Sequence, residues 1–113
     1  MNLEVGMYVR TTKGKIDKVD NYDIYFGCYH LSTEPKCYGI VEDDITKASH
    51  NIIDLIEVGD YVNGHPVTLI CEDKVHPQNK CLRIYGRGYV WQKDIKSVVT
   101  KEQFASMEYR VKE

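Results

Sequence analysis

Thiols and imidazoles fall in two groups along the chain, Cys28, His30 and Cys37 in one half and Cys71, His76 and Cys81 in the other. These are the ligand types of structural zinc, where pairs about two to four residues apart let one turn aim two sulfurs at one ion. Here the cysteines stand nine (28 to 37) and ten (71 to 81) positions apart. The two groups also do not match each other, since Cys28 lies 22 positions after Gly6 and Cys71 only 12 after Gly59. The spacing therefore predicts no metal site and no cofactor, and reads as reduced thiols serving as small hydrophobes in strands. Nucleophilic catalysis finds no support either. The chain has no G-x-S-x-G elbow, no H-E-x-x-H and no glycine-rich phosphate loop. Carboxylates cluster at Glu42-Asp43-Asp44, which reads as a solvated loop closed by a turn. No catalytic residue is assigned, and the chain is expected not to be an enzyme.

Two aromatic stretches point instead to binding. Arg83-Ile84-Tyr85-Gly86-Arg87-Gly88-Tyr89-Val90-Trp91-Gln92-Lys93 interleaves cations with rings, the combination that stacks and neutralises single-stranded nucleic acid. In one continuous strand the alternate residues from Arg83 to Lys93 would share a face. A turn at Gly86 to Gly88 is expected to break that parity and leave Tyr85, Tyr89 and Trp91 partly in the core. The net charge of −2 also lacks the excess of cations that drives general nucleic-acid binding. The first half carries the second stretch, with Tyr22, Tyr25, Phe26, Tyr29 and Tyr38 crowded into one hairpin region. Tyr25 and Tyr29 pointing outward on either side of Gly27 would make an exposed aromatic patch, and tyrosine is favoured in such patches. The alternative for each ring is cross-strand packing.

Whatever these residues do, a duplicated frame must position them. Leu3-Glu4-Val5-Gly6-Met7-Tyr8-Val9 returns as Ile56-Glu57-Val58-Gly59-Asp60-Tyr61-Val62, and Asp44-Ile45 returns as Asp94-Ile95. A repeat with matching start and end indicates one supersecondary unit used twice. Short runs rich in Tyr, Val and Ile alternate with turn formers such as Lys13-Gly14, Asn63-Gly64 and Gly86-Arg87-Gly88, the punctuation of small barrels and sandwiches. The spacing predicts strands near 7–11, 15–19, 23–30, 37–41 and 51–55 in the first half. In the second it predicts 60–63, 67–72, 80–85, 89–92 and 96–99. The expected fold is mainly β: two tandem small SH3-like barrel units, 1–54 and 55–113, packed together. One short C-terminal helix follows, capped by Thr100 and Gln103 and docking Phe104, Met107 and Val111. No apolar run reaches membrane-spanning length and no leader pattern opens the chain, so a cytoplasmic protein with no membrane partner is expected.

Three segments carry a resemblance. Ser49-His50-Asn51-Ile52-Ile53-Asp54-Leu55-Ile56-Glu57-Val58-Gly59-Asp60-Tyr61-Val62-Asn63-Gly64 resembles a stretch of small phage and prophage proteins of low-GC and related bacteria. The tail from Asp94 to Phe104 is similar to the ending of the same family, and Gly6 to Thr11 with Lys13 to Ile16 resembles its opening. Such proteins include inhibitors of bacterial defence systems, anti-CRISPR proteins among them, which act by occupying a surface of an RNA-guided nuclease. The resemblance implies a host protein as partner, with a CRISPR effector nuclease or its RNA complex as the leading candidate. The residues expected to bind it are Tyr25, Tyr29, Tyr38, Arg83, Arg87 and Trp91, because buried aromatics and arginines dominate interface energetics. The rival expectation is a nucleic-acid-binding module built on residues 80–93.

Overall fold

The computed structural model describes residues 3–33, 44–72, 75–76 and 79–107. The protein is mainly β, with two antiparallel sheets and one short helix near the C-terminus. Its chain divides into two compact units, Met1–Leu55 and Ile56–Glu113.

In the first unit, β1 (Tyr8–Thr11), β2 (Ile16–Asp23), β3 (Cys28–Leu31) and β4 (Ile45–Ser49) form a sheet in the order β3-β2-β1-β4. Val9, Val19, Leu31 and Ile45 make its core, with Leu3, Tyr29 and Ala48 packed against them. Arg10 is also buried, and its Nη1 donates to the Leu55 carbonyl at 3.0 Å. That bond joins β1 to the 3-10 turn Ile52–Leu55 and partly offsets the cost of burying a cation.

In the second unit, β5 (Tyr61–Val62), β6 (His65–Cys71), β7 (Cys81–Ile84), β8 (Gly88–Trp91) and β9 (Val98–Val99) form a sheet in the order β8-β7-β6-β5-β9. A second 3-10 turn, Gln92–Asp94, precedes β9, and α1 (Lys101–Ser106) follows it. Val62, Val67, Leu82, Ile84 and Val90 are buried. Among the described residues neither sheet closes into a barrel.

The repeated Glu-Val-Gly-x-Tyr-Val signature is one local structure built twice. Met7 N–H donates to Glu4 O and Asp60 N–H to Glu57 O, both at 3.1 Å. The glycines between them sit at φ +93° and +98°, a region that L side chains enter only at a cost. Each glycine N–H then donates to a valine carbonyl on the next strand, Gly6 to Val19 at 2.8 Å and Gly59 to Val67 at 3.0 Å. Those valines donate back to Met7 and Asp60, both at 2.8 Å. The signature is thus a turn that registers the first strand of each unit on the second, and both closing valines, Val9 and Val62, are fully buried.

Several expectations need correction. The segment 51–55, read as a strand, holds the 3-10 turn Ile52–Leu55, and the strand that closes the first sheet is β4, one segment earlier. Ser49 explains the change: its hydroxyl accepts from Asn51 N–H at 3.0 Å and donates to Asp54 Oδ2 at 2.6 Å, coiling the chain locally. Residues 23–30 are not one strand, because a turn over 24–27 separates β2 from β3. The strand expected at 37–41 lies outside the described residues. The capping box of α1 is formed, with Thr100 Oγ1 accepting from Gln103 N–H and Gln103 Oε1 accepting from Thr100 N–H. The helix does not bury a stripe, however. None of its residues is buried, Met107 is exposed, and Phe104, half-exposed, stacks on Tyr61 with ring centroids 4.8 Å apart; Val111 lies outside the described residues. No helix among the described residues is long and apolar enough to cross a membrane.

Candidate functional site

Two surfaces bring sequence-predicted site residues into the open, one in each unit. The first is the tip of the β2–β3 hairpin. Asp23 ends β2, and its Oδ1 accepts from Tyr25 N–H at 2.9 Å and Phe26 N–H at 3.2 Å, while Gly27 N–H donates to the Asp23 carbonyl at 2.8 Å. A carboxylate that gathers the backbone of the next residues makes a tight turn. With the N–H groups turned inward, the side chains go outward: Ile24 is exposed, Tyr25 is 90% exposed and Phe26 82%. Burial works against the Asp23 charge, but the bonds from Phe26 and Tyr25 and the nearby His30, 3.5 Å from Oδ2, hold its carboxyl below the ordinary value of 3.8.

Tyr29 does not join this patch. It packs toward the core of the first unit and meets Tyr22 with ring centroids 4.7 Å apart, so the expected Tyr25–Tyr29 pairing about Gly27 is replaced by Ile24-Tyr25-Phe26. Tyr38 lies outside the described residues. Ile24 was missed in the sequence because residues 23–30 read as a continuous strand, which assigns its side chain by parity rather than to a turn.

The second surface is the outward face of β6, β7 and β8. Arg83 stands opposite Tyr89 and Cys81 opposite Trp91 across the β7–β8 pair. On the other side of β7, Leu69 stands opposite Arg83 and Cys71 opposite Cys81. Partners in an antiparallel pair share a face, so two rows run across the three strands, Leu69-Arg83-Tyr89 and Cys71-Cys81-Trp91, although Cys81 within the second row is itself buried. Leu82, Ile84 and Val90 occupy the opposite, buried face. Tyr89 is 59% exposed and Trp91 43%, and Tyr85 projects from the turn between the strands. The expectation that the turn would send these rings partly into the core is corrected here. A turn over residues 85–87 keeps the sum of paired positions even, so alternation continues from β7 into β8.

Arg87 sits in that turn, and its Nε donates to His65 Nε2 at 3.2 Å. The two residues line an open pocket of about 350 Å³ with Asn63, Ile84, Tyr89, Val90 and Asp94. Asn63 in the lining is tied to the segment after β8. At φ +52° it starts the Asn-Gly hairpin turn between β5 and β6. Its Oδ1 accepts from Lys96 N–H at 2.8 Å and Ser97 N–H at 3.1 Å, and its Nδ2 donates to Asp94 O at 2.8 Å. Among the described residues, no three His, Cys, Asp or Glu side chains gather as metal ligands. Cys28, Cys71 and Cys81 are free thiols.

Comparison with known proteins finds no matching family model, curated protein or solved structure.

Proposed function

We propose that the protein is a non-enzymatic binding protein of phage or prophage origin, which engages a host protein through the β2–β3 hairpin tip and blocks it sterically. One observation carries this reading: three consecutive apolar side chains, Ile24, Tyr25 and Phe26, stand in solvent on a turn that fixes their direction. Large exposed aromatics cost solubility and contribute little to the fold, so their natural place is the centre of an interface. An apolar tip without cations suits a protein pocket better than a phosphate backbone. The resemblance of the duplicated scaffold to phage and prophage proteins makes a defence nuclease, such as a CRISPR effector, the leading target. On the same reading each unit is a small SH3-like barrel, its sheet curled but open. In support, the order β8-β7-β6-β5-β9, with a 3-10 turn just before the last strand, is the strand plan of such a domain.

The experiment is a DNA-cleavage assay with the host's RNA-guided nuclease, titrated with the purified chain and with a Tyr25→Asp/Phe26→Asp double variant. Inhibition by the parent and its loss in the variant, at unchanged thermal stability, is the expected result. Equal inhibition by both proteins would remove the tip from the interface. No inhibition and no complex by size-exclusion chromatography would remove the nuclease as target.

A further inference from the structure

We propose that the outward face of β6–β8 in the second unit is a binding site for single-stranded nucleic acid, with Tyr89 and Trp91 stacking on bases and Arg83 and Arg87 holding phosphates. This site does not rest on the hairpin-tip reading, since it uses other residues in the other unit.

The sheet register supplies the platform. Tyr89 and Trp91 lie two residues apart on β8, about 7 Å along the strand, on the side away from the buried Leu82, Ile84 and Val90. Two exposed rings in line on one strand can take successive bases of an extended chain, and any base offers a face to stack on. Duplex DNA hides those faces, so the platform selects single strands.

Cations supply the second half. Arg83 lies directly across from Tyr89 and makes no side-chain hydrogen bond or ion pair among the described residues. The guanidinium of Arg87 is oriented by His65 through Nε alone, which leaves its terminal nitrogens directed to other acceptors. A planar donor fixed at one edge and open at the other suits a phosphate. Tyr89 lines the Arg87 pocket and belongs to the outward row, whereas Ile84 and Val90 in the same lining belong to the inward face, so Tyr89 is the residue that pocket and platform share. Lys93, exposed in the 3-10 turn after β8, adds a cation beyond the end of that strand. Asp94 is the one carboxylate lining the pocket, against Arg87 with Arg83 and Lys93 nearby in sequence. Charge complementarity therefore selects an anionic polymer, and the rings select one with exposed bases over an acidic peptide.

Trp91 is the only tryptophan and reports on its own face. Oligo-dT and oligo-rU are titrated against the full chain by Trp91 fluorescence and by anisotropy of a labelled oligonucleotide. The expected result is saturable quenching with micromolar affinity at low salt. Two phosphate contacts, by Arg83 and Arg87, give a salt slope of about −1.4, so raising salt about fourfold should weaken binding roughly 7-fold. Arg83→Ala, Arg87→Ala and Tyr89→Ala should each weaken binding at least several-fold with unchanged melting, and Asp94→Asn should strengthen it. Tyr25→Asp should leave it unchanged, which separates this site from the hairpin tip. Absence of binding at low salt would overturn the proposal, as would undiminished binding by the Arg83, Arg87 and Tyr89 variants. A duplex bound as tightly as the single strand would also overturn it. If a polyglutamate peptide bound with the same residue dependence while the oligonucleotides did not, the face would be a reader of acidic protein segments instead.

Discussion

Asn63 is the most informative residue to perturb in the second unit, because its three contributions can be taken away separately. It holds the left-handed backbone of the β5–β6 turn at φ +52°. Its Oδ1 accepts two backbone N–H groups, from Lys96 and Ser97, and its Nδ2 donates to Asp94 O. Taken near the lower end of the net range because they lie close to the surface, three such bonds contribute roughly 2 kcal/mol together. Asn63→Gly keeps the backbone geometry and loses the bonds, so it should cost about 2 kcal/mol. Asn63→Ala loses the bonds and adds about 1 kcal/mol for a side chain forced into the left-handed region, about 3 kcal/mol in all. Asn63→Asp keeps both acceptor bonds but sets a carboxylate oxygen against Asp94 O, and should fall between the parent and Asn63→Gly. The assay is urea unfolding followed by Trp91, the single tryptophan, which lies in the second unit. With a slope near 1 kcal/mol per molar for so small a unit, the midpoint for Asn63→Gly should move down by about 2 M. Amide exchange at Lys96 and Ser97 should accelerate in Asn63→Gly and Asn63→Ala but not in Asn63→Asp. Midpoints for the glycine and alanine variants that coincide with the parent would refute the bonding argument. Coincidence with each other would refute the backbone part.

Gly6→Ala and Gly59→Ala should each destabilise by about 1–2 kcal/mol, since a Cβ at Gly6 meets nothing within 4 Å and one at Gly59 meets Lys101 Cδ only at 3.5 Å, an ordinary contact. Unequal losses in thermal melts would show that the two turns are not equivalent in energy. The Asp23 carboxyl is held below its ordinary 3.8, so its support of the hairpin tip is fully present above that value and is lost as pH falls through the lower folded value. Tyr25 and Phe26 amide shifts should titrate with a midpoint under 3.8; a midpoint at or above it would mean that the carboxylate does not hold the turn. Burial, with the neighbouring Cys71 adding to it, pushes the Cys81 thiol up. Iodoacetamide should therefore label Cys71 ahead of Cys81, and peptide mapping showing the reverse order would contradict the packing.

Features set by neighbours within a few residues were legible in the sequence. The Glu-Val-Gly-x turn needs a glycine at positive φ and the next strand's valine, and both halves display that pattern. Asn63-Gly64 reads directly as a two-residue hairpin, and Thr100 with Gln103 as a capping box, because the partners lie in the same short window. Segments decided by distant partners or competing side chains were read wrongly. In β4, Ile45-Thr46-Lys47-Ala48-Ser49 has few strand formers after its first two residues, and it is a strand because β1, far away in sequence, offers it a ladder. Residues 52–55 are rich in strand formers, yet Ser49 and Asp54 fold them into a 3-10 turn. Ile24-Tyr25-Phe26 would extend any isolated strand, but the Asp23 carboxylate competes for the backbone that a strand would pair.

Whole-chain charge concealed the second surface for a related reason. Net charge counts every ionised group equally, whereas a partner meets only those left uncommitted. In the second unit Glu57 pairs with Lys101 at 2.9 Å and Glu72 with Lys80 at 3.1 Å. Asp60 is fully buried, accepting from Glu57 N–H at 2.7 Å and Lys101 N–H at 2.9 Å. These commitments remove three carboxylates and two ammonium groups from the surface account of a unit whose formal charge is close to neutral. What remains on β7, β8 and the following turn is weighted to Arg83, Arg87 and Lys93, beside rings that a parity argument through the turn places outside. A sum over the sequence cannot detect that redistribution, because it arises only when β6, β7 and β8 are aligned and Glu57, Asp60 and Glu72 have found their partners.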